Sequence, residues 1–322
     1  MNEALENRPA QDPTNEELSS RLVPVTPRQQ SWRRFKRNRT AVASVAFLLT
    51  LAVFILIYPL FSRFKPDALS DAQFQSPNSQ HLLGTDAHGR DLLVRLCYGA
   101  QISFIVGIVG ATVSLVIGVL WGAIAGYAGG RTDGAMMRFV DVLYSMPTII
   151  FAMVLMSAVE PSLKDRFARM GFHDASKAAR LSLLFFGLGA VSWLTMSRIV
   201  RGQVLSLRTR AFVDASRALG ATPAHILVRH IIPNVLGVVI VYLALTVPGI
   251  ILYESFLSFL GLGVQPPMAS WGSLIAEGAG QINPIRIYWW LLVFPAGLMV
   301  LTLLALNFLG DGLRDAWDVK GS

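Results

Sequence analysis

The sequence predicts an all-α fold, that of a polytopic membrane protein with six transmembrane helices. Of its 322 residues, 53% are hydrophobic and only 15% are charged, whereas soluble domains carry about 25% charged residues. Six apolar stretches without Asp, Glu, Lys or Arg interrupt the chain, and a helix needs about 20 such residues to cross a bilayer. Basic residues concentrate in alternate connections between these stretches, as expected of cytoplasmic segments.

Each apolar stretch is predicted to form one span. The second stretch is long enough for one helix plus its flanks but too short for two helices with a turn. The third span is expected to start from a helix that opens near Asp133, and the fourth stretch is the shortest. The predicted spans are residues 40–62, 96–130, 142–159, 181–197, 231–253 and 287–310.

A further uncharged stretch, residues 255–276, is not predicted to cross the membrane. Gly and Pro residues break it too often for a helix exposed to lipid. We expect a re-entrant or interfacial connection that is buried in protein, with a seventh span as the alternative. The breaking residues are Gly261, Gly263, Pro266, Pro267 and Gly272.

The distribution of Lys and Arg predicts that both termini are cytoplasmic. With the N-terminus inside, 18 of the 28 basic residues lie in cytoplasmic segments. Residues 1–30 are polar and contain four prolines, which predicts a disordered cytoplasmic tail. No signal peptide is expected, and the first span should remain as an anchor.

Residues 31–40, SWRRFKRNRT, place five positive charges beside the first span. One expectation is a helix on the membrane surface, with Trp32 and Phe35 as interfacial anchors. The alternative is a plain basic flank of the span. The predicted segments of the chain are then residues 1–30, 31–62, an extracytoplasmic loop at 63–95, a five-helix core at 96–310 that contains a cytoplasmic loop at 198–233, and a cytoplasmic tail at 311–322.

The chain lacks the motifs of the common catalytic sites. None of its five lysines follows a glycine, so the phosphate-binding loop of many ATPases is absent. Neither a G-x-S-x-G elbow nor an H-E-x-x-H helix occurs. His81, Asp86 and His88 could meet a metal from one loop, but we do not predict a metal site. We expect a non-enzymatic chain with no catalytic, cofactor-binding or metal-binding residue, and no nucleic-acid partner despite the net charge of +8.

Two acidic residues near predicted span ends keep an autonomous secondary transporter open as an alternative. Ion-coupled carriers usually need ionisable residues within the membrane, and Glu254 and Asp141 are the candidates. Pairing with a basic side chain is the commoner explanation for such residues. A third class, a membrane scaffold that anchors cytoplasmic proteins through the 198–233 loop, also stays open.

The 198–233 loop predicts a compact helix–turn–helix. Asp214, Ala215 and Ser216 fall in a first helix that Gly220 ends with a left-handed residue. Thr222 is expected to cap a second helix with Pro223 at its first position. This second helix is predicted to stop before Pro233, because the residue before a proline resists helical angles. A polar loop that merely joins two spans is the alternative.

Two spacings within helices predict which residues share a face. His225 and His230 are five residues apart, so we do not expect them on one helical face. Gly118, Gly122 and Gly126 are four apart in the second span. Such glycines let helices pack closely in lipid, although glycines that are merely tolerated give the same pattern.

At the 198–233 loop the sequence resembles the permease subunits of binding-protein-dependent ABC importers. Their signature is Glu-Ala-Ala, a glycine four residues later and a proline about thirteen residues after the glycine. Here it stands as Asp214-Ala215-Ser216, Gly220 and Pro233. Four further blocks resemble the C-type permease of the dipeptide, oligopeptide and nickel branch. They are HLLGTDAHGRDLLVRLCYGAQISF from His81, GAIAGYAGGRTDGAMMRFVDVLYSMP from Gly122, ESFLSFLGLGVQPPMASWG from Glu254 and LNFLGDGLRDAWD from Leu306.

This resemblance implies a type I ABC importer transmembrane domain in a bacterial inner membrane. The chain would form half of a translocation path for di- or oligopeptides, or for a related solute such as nickel. Its implied partners are a homologous B-type permease, two cytoplasmic ATPase subunits that use ATP and Mg, an extracytoplasmic solute-binding protein and the lipid bilayer. The residues implied in ATPase coupling are Asp214, Ala215, Ser216, Gly220, Ala221, Thr222, Pro223 and Pro233.

Three residues on the predicted external side are candidates for a gate or for contact with the binding protein. They are Arg90 and Asp91 in the GTDAHGRD sequence and Trp271 in the SWG sequence. The alternative for Arg90 and Asp91 is that they stabilise their own loop.

Overall fold

The computed structural model describes residues 27–266, 268–282 and 286–317, which form helices, turns and two isolated β-bridges. Two π-helical turns, Leu183–Gly187 and Leu227–Ile231, are inserted before α7 and α10. The helices are α1 (Pro27–Arg37), α2 (Arg39–Phe61), α3 (Leu92–Ala128), α4 (Gly130–Tyr144), α5 (Thr148–Arg169), α6 (Ala175–Ser182), α7 (Leu188–Leu207), α8 (Ala211–Ala218), α9 (Pro223–Ile226), α10 (Ile232–Phe259), α11 (Trp271–Gly280) and α12 (Trp289–Trp317).

Contacts between the helix ends define two ends of the bundle. At one end, Phe35 of α1, Ala41 of α2 and Ala316 of α12 form a small buried cluster. We call this the basic end; it also holds the end of α3 and residues 208–231. At the other end, the Trp290 indole N–H donates a hydrogen bond to the Thr85 carbonyl (3.2 Å). We call this the loop end; it holds the described parts of residues 62–91 and 260–288.

Within the described residues, five helices are long and apolar enough to cross a membrane, and one bent helix pair brings the number to six if it is counted as a single span. α3 starts at the loop end, where the Leu92 amide donates a hydrogen bond to the Gly84 carbonyl (3.1 Å). It runs parallel to α7, because Gly110 of α3 lies against Gly189 and Gly126 lies against Val204. Both helices therefore end at the basic end, and α4 and α5 must return the chain to the loop end between them.

The predicted third span, residues 142–159, is wrong as a single straight helix. The chain bends by 89° between α4 and α5, at Ser145, Met146 and Pro147. Pro147 has no backbone N–H to donate to the preceding turn, and it disfavours helical angles at Met146. The apolar composition indicated a crossing, but it carried no information about the direction of the two halves.

The prediction that the second helix of the 198–233 loop stops before Pro233 is also wrong. After α9, the π-helical turn Leu227–Ile231 leads directly into α10, where Pro233 occupies the first turn. The Ile232 amide donates a hydrogen bond to the Leu227 carbonyl, five residues back. Pro233 is tolerated because the first residues of a helical segment need no N–H donor.

Several boundaries extend beyond the predicted ones. α1 starts at Pro27, so residues 27–30 are helical, while residues 1–26 of the predicted disordered tail lie outside the described residues. α3 starts at Leu92 rather than 96, because Asp91 caps it and accepts a hydrogen bond from the Val94 amide (3.0 Å). α12 continues to Trp317, past the predicted end at 310, and residues 318–322 of the tail lie outside the described part.

The predicted connection at residues 255–276 is buried in part, and its described residues do not form a seventh span. α10 extends to Phe259, and the described part of the following loop leads into α11, which has ten residues. A helix of that length rises about 15 Å, half of what a bilayer requires. α11 packs against α3, α10 and α12, and Trp271 at its start is fully buried. Pro267 lies outside the described residues.

Candidate functional site

The 198–233 loop forms the helix–turn–helix that its sequence predicts. α8 contains Asp214, Ala215 and Ser216, and Gly220 adopts the left-handed conformation (φ +80°) in the turn that follows. The Thr222 hydroxyl accepts a hydrogen bond from the His225 amide (3.3 Å), with Pro223 at the first position of α9. The local sequence therefore determines both the turn and the start of the second helix.

This helix pair is attached to the bundle by a few apolar side chains and exposes the rest. Val213 and Ile226 are buried in a cluster with Val200, Val204 and neighbouring residues of α3, α7 and α10. By contrast, Leu219 is 88% exposed, and Ala221 beside it is half-buried. The turn that carries Leu219 therefore lies on the surface of this chain.

The prediction that His225 and His230 do not share a helical face is wrong. Their rings lie edge to face with centroids 5.9 Å apart. The π-helical turn Leu227–Ile231 lies between them and includes His230. A π-helix has more residues per turn than an α-helix, so residues five apart come into register.

The three predicted packing glycines lie along the contact between α3 and α7. A Cβ atom at Gly118 would lie 2.6 Å from the Met196 Cβ, and one at Gly126 would lie 2.9 Å from the Arg201 carbonyl oxygen. A Cβ at Gly122 would contact the Ser197 carbonyl oxygen at a still shorter separation. We call this contact the glycine seam. Its helices approach so closely that no larger residue fits.

Arg90, Asp91 and Trp271 are all buried at the loop end, with 7%, 3% and 0% of their surface exposed. The Arg90 Nε donates to Asp86 Oδ2 (2.7 Å), and Asp91 lies 2.9 Å from His81 Nδ1. The Trp271 indole N–H donates to the Leu96 carbonyl (3.3 Å). These contacts support the alternative in which the residues stabilise their own loop, because their burial keeps them from a soluble partner in this structure.

The structure reveals an ion-pair network that the sequence did not indicate. Arg95, which is 1% exposed, donates from Nη1 to Asp86 Oδ2 (2.6 Å) and to Glu277 Oε2 (2.7 Å). Its Nη2 donates to Glu277 Oε1 (2.9 Å). The network ties α3 and the 81–91 loop to α11. Arg95 and Glu277 are 182 residues apart, so only the fold brings them together.

Burial and hydrogen bonding act in opposite directions on Asp86. Burial by itself raises the pKa of this carboxyl group, whereas the charge of Arg95 and the hydrogen bonds from the Arg90 and His88 amides lower it. The net result is a pKa below the ordinary value for aspartate. Asp86 is therefore ionised at neutral pH, which keeps the network intact.

The two acidic residues considered for ion coupling have different surroundings. Asp141 pairs with Arg198 (2.7 Å) and is exposed, as expected for pairing with a base. Glu254 is fully buried and contacts hydroxyl groups instead of a base. Ser258 donates to its Oε1 (2.6 Å), and Ser103 lies 3.4 Å from its Oε2. Glu254 thus joins α10 to α3 through serine side chains.

Comparisons with known proteins agree with this architecture. Residues 118–320 match the family described as binding-protein-dependent transport system inner membrane component. Residues 26–83 match the N-terminal transmembrane domain of oligopeptide transport permease C. The chain belongs to the binding-protein-dependent transport permeases. The two matched regions together include the described helices except residues 92–117 of α3.

Curated relatives match along most of their length. The chain is 46% identical to the oligopeptide transport system permease protein OppC of Haemophilus influenzae over 91% of this chain and 88% of that protein. It is 45% identical to OppC of Escherichia coli, with 91% of each chain covered. It is 41% identical to the dipeptide transport system permease protein DppC of Bacillus subtilis, over 91% of this chain and 85% of that protein.

A solved structure shows the same fold at low sequence identity. A chain from inward-facing conformations of the MetNI methionine ABC transporter aligns with a TM-score of 0.51 and 20% identity. The alignment covers 70% of this permease and 96% of that chain. The bundle therefore has the fold of an ABC transporter membrane subunit, as the sequence predicted.

Proposed function

We propose that this permease forms half of the translocation path of an ATP-driven importer for di- or oligopeptides. Relatives named as oligopeptide and dipeptide permeases match it at 41 to 46% identity over 91% of its length. The second half of the path is a homologous B-type permease, and an extracytoplasmic binding protein delivers the substrate. The chain itself carries out no catalysis and needs no cofactor.

The observation that carries the coupling role is the exposed helix pair at the basic end. α8, the Gly220 turn and α9 protrude together, with Leu219 88% exposed. A rigid pair of short helices can transmit a push to the spans, whereas a flexible loop would absorb it. We assign its docking partner as one of two ATPase subunits, which bind ATP and Mg and whose closure moves the spans between two states.

The direction of the chain in the bilayer follows from the charges at the two ends. Of the 25 Lys and Arg residues in the described ranges, 11 lie in α1 and in residues 198–231, and Arg39, Arg131, Arg138 and Arg314 bring the number at the basic end to 15. The positive-inside rule assigns this end to the cytoplasm. Both termini then lie in the cytoplasm, and the loop end faces the binding protein outside a bacterial inner membrane.

Purification from the native membrane in mild detergent tests the assembly. We expect a second six-span permease and two Walker-type ATPase subunits to co-purify with this chain. Recovery of the chain alone or as a homo-oligomer, without an ATPase in any mild detergent, would contradict the importer and favour a secondary transporter.

Substitution of two left-handed glycines tests the coupling surface. A Cβ at Gly220 (φ +80°) or at Gly171 (φ +82°) meets no atom within 4 Å, so a tryptophan strains both turns similarly without a clash. We expect Gly220→Trp to reach the membrane but to abolish transport-linked ATP hydrolysis, and Gly171→Trp, in the turn between α5 and α6, to retain it. Normal coupling in Gly220→Trp would count heavily against the role of this turn.

A further inference from the structure

A cleft of about 270 Å³ opens beside the bend between α4 and α5. Its walls come from the bend, from the start of α5, and from the middle of α7 and α10. Thr195 on its wall adjoins Met196, which packs against Gly118 in the second half of α3. Thr246 adjoins Leu245, which packs against Gly310 of α12. The cleft therefore lies within the bundle, between its two ends.

The bend makes this cleft different from an ordinary groove between helices. Ser145, Met146 and Pro147 interrupt the helix and are exposed in the described chain. Non-helical backbone is tolerated within a membrane only where protein buries it or where it lines a water-filled cavity. A bent span on an exposed face therefore indicates that water or a partner subunit covers this face, and that lipid does not.

Hydroxyl groups line the cleft, and most of them have no hydrogen-bond partner in the part of the chain that the structure describes. The unpartnered hydroxyls belong to Tyr144, Thr148, Thr195, Tyr242 and Tyr253. Two others are used within their own helices: Ser192 donates to the Leu188 carbonyl (2.9 Å) and Thr246 donates to the Tyr242 carbonyl (2.6 Å).

Charged groups stay at the edge of the cleft. Its described lining contains no Asp, Glu, Lys, Arg or His side chain. The ion pair of Asp141 with Arg198 borders it, because the Arg198 guanidinium packs over the Tyr144 ring at 4.2 Å from its centroid. An uncharged lining treats acidic, basic and apolar side chains of a substrate alike.

We propose that this cleft is the part of the translocation path that contacts the main chain of the transported peptide. This inference rests on the proposed function. Each hydroxyl can both donate and accept a hydrogen bond, and so can each peptide unit through its N–H and C=O. Unpartnered hydroxyls can therefore hydrogen-bond to the main-chain N–H and C=O groups, which all peptides share. Without a buried charge, the contact stays weak enough for the peptide to leave, as conduction requires.

A matched pair of threonines tests the inference in the complete transporter, reconstituted in vesicles with its co-purifying subunits. Thr195→Val removes an unpartnered hydroxyl in the cleft, whereas Thr112→Val makes the same change in α3, outside the cleft lining, where the exposed Thr112 hydroxyl donates to the Ile108 carbonyl of its own helix (2.8 Å). With labelled tri-alanine as the probe, we expect Thr195→Val to lower uptake about 3- to 10-fold, the value of one or two hydrogen bonds. Thr112→Val should transport at the wild-type rate.

A second measurement uses the substrate instead of the protein. A tri-alanine analogue with one amide N–H replaced by an ester oxygen lacks one main-chain donor. We expect the wild type to prefer tri-alanine over this analogue, and Tyr242→Phe combined with Thr195→Val to reduce that preference. This readout is a ratio between two substrates, so a lower level of folded protein does not change it.

The outcomes separate the two proposals. Wild-type uptake and unchanged substrate preference in the Thr195 and Tyr242 variants would overturn the inference and leave the peptide importer standing. An equal loss in Thr195→Val and Thr112→Val would also overturn it, because the loss would then follow the threonine-to-valine change in a helix and not the hydroxyl in the cleft. A wild-type complex that carries another solute and no peptide would overturn the proposed function and, with it, the inference.

Discussion

The Arg95 ion-pair network at the loop end is centred on a buried arginine, whereas the ion pair of α8 at the basic end is exposed. Arg95 is 1% exposed and contacts both Asp86 and Glu277. At the basic end, Asp214 and Arg217 pair at 3.1 Å with 64% and 44% of their side chains exposed. The Arg95 network therefore joins distant parts of the chain, while the Asp214–Arg217 pair joins neighbours on one helix.

The difference shows how one subunit can combine a rigid part with a docking part. Buried, hydrogen-bonded ion pairs hold their geometry because removal of one partner leaves an uncompensated charge. Exposed pairs contribute little and rearrange readily when a partner binds. Three comparisons, each between a closely packed site and an exposed one, and one pH dependence test this contrast.

The largest expected effect is the loss of the buried arginine. Arg95→Met keeps much of the volume but leaves Asp86 and Glu277 with Arg90 as their remaining base, which should cost up to about 3–5 kcal/mol of the free energy of unfolding. Arg198→Met removes the exposed pair with Asp141 and should cost about 0–1 kcal/mol. Denaturant unfolding in detergent measures both. Equal losses would show that the two ends do not differ in this way.

A smaller effect is expected at the glycine seam. Gly122→Ala places a methyl group against the Ser197 carbonyl and 2.9 Å from the Val200 Cβ, and should destabilise the protein by about 1–3 kcal/mol. Gly202 lies in α7, and a Cβ there would meet no atom within 4 Å. At this position alanine should be neutral or should stabilise the helix by up to about 1 kcal/mol. Thermal unfolding of both variants checks for opposite signs, and a stabilised Gly122→Ala would refute the close approach.

Loss of a helix cap at the loop end should lower the stability of the whole bundle, whereas loss of a cap at the basic end should increase amide exchange only locally. Ser270 caps α11, is fully buried and lies 3.3 Å from Ser258, so Ser270→Ala should cost about 1–2 kcal/mol of global stability. Thr222 caps the exposed α9, so Thr222→Ala should increase amide exchange only in residues 223–226. A uniform increase in exchange across the bundle in Thr222→Ala would contradict the local role.

The smallest expected effect is a pH dependence at Asp86. Its pKa is lowered in the folded protein, so ionised Asp86 stabilises the fold above the unfolded pKa of about 3.9. This stabilisation is lost as the pH falls through the lower, folded pKa. The difference in stability between wild type and Asp86→Asn should therefore be constant from pH 7 to about pH 5 and shrink below about pH 4. A difference that widens on acidification would contradict the lowered pKa.

Much of the helix–turn–helix in the 198–233 loop could be predicted because the residues that specify its turn and helix start act locally. The left-handed Gly220, the Thr222 cap and Pro223 at the first helical position act over three or four residues, and the structure contains each of them. The end of the second helix was mispredicted because the π-helical turn Leu227–Ile231 changes which carbonyl each amide meets. That change depends on how the helix packs, and Pro233 alone does not decide it.

Apolar composition by itself determined that this chain crosses a membrane several times, because only closed backbone hydrogen bonding permits a long apolar stretch in lipid. Local glycine and proline chemistry determined the turns. Only the tertiary structure decided the pairing of Arg95 with Glu277 and the cleft beside Thr195. These features depend on residues far apart in the chain, and the free energy of their contacts exists only once the helices have packed.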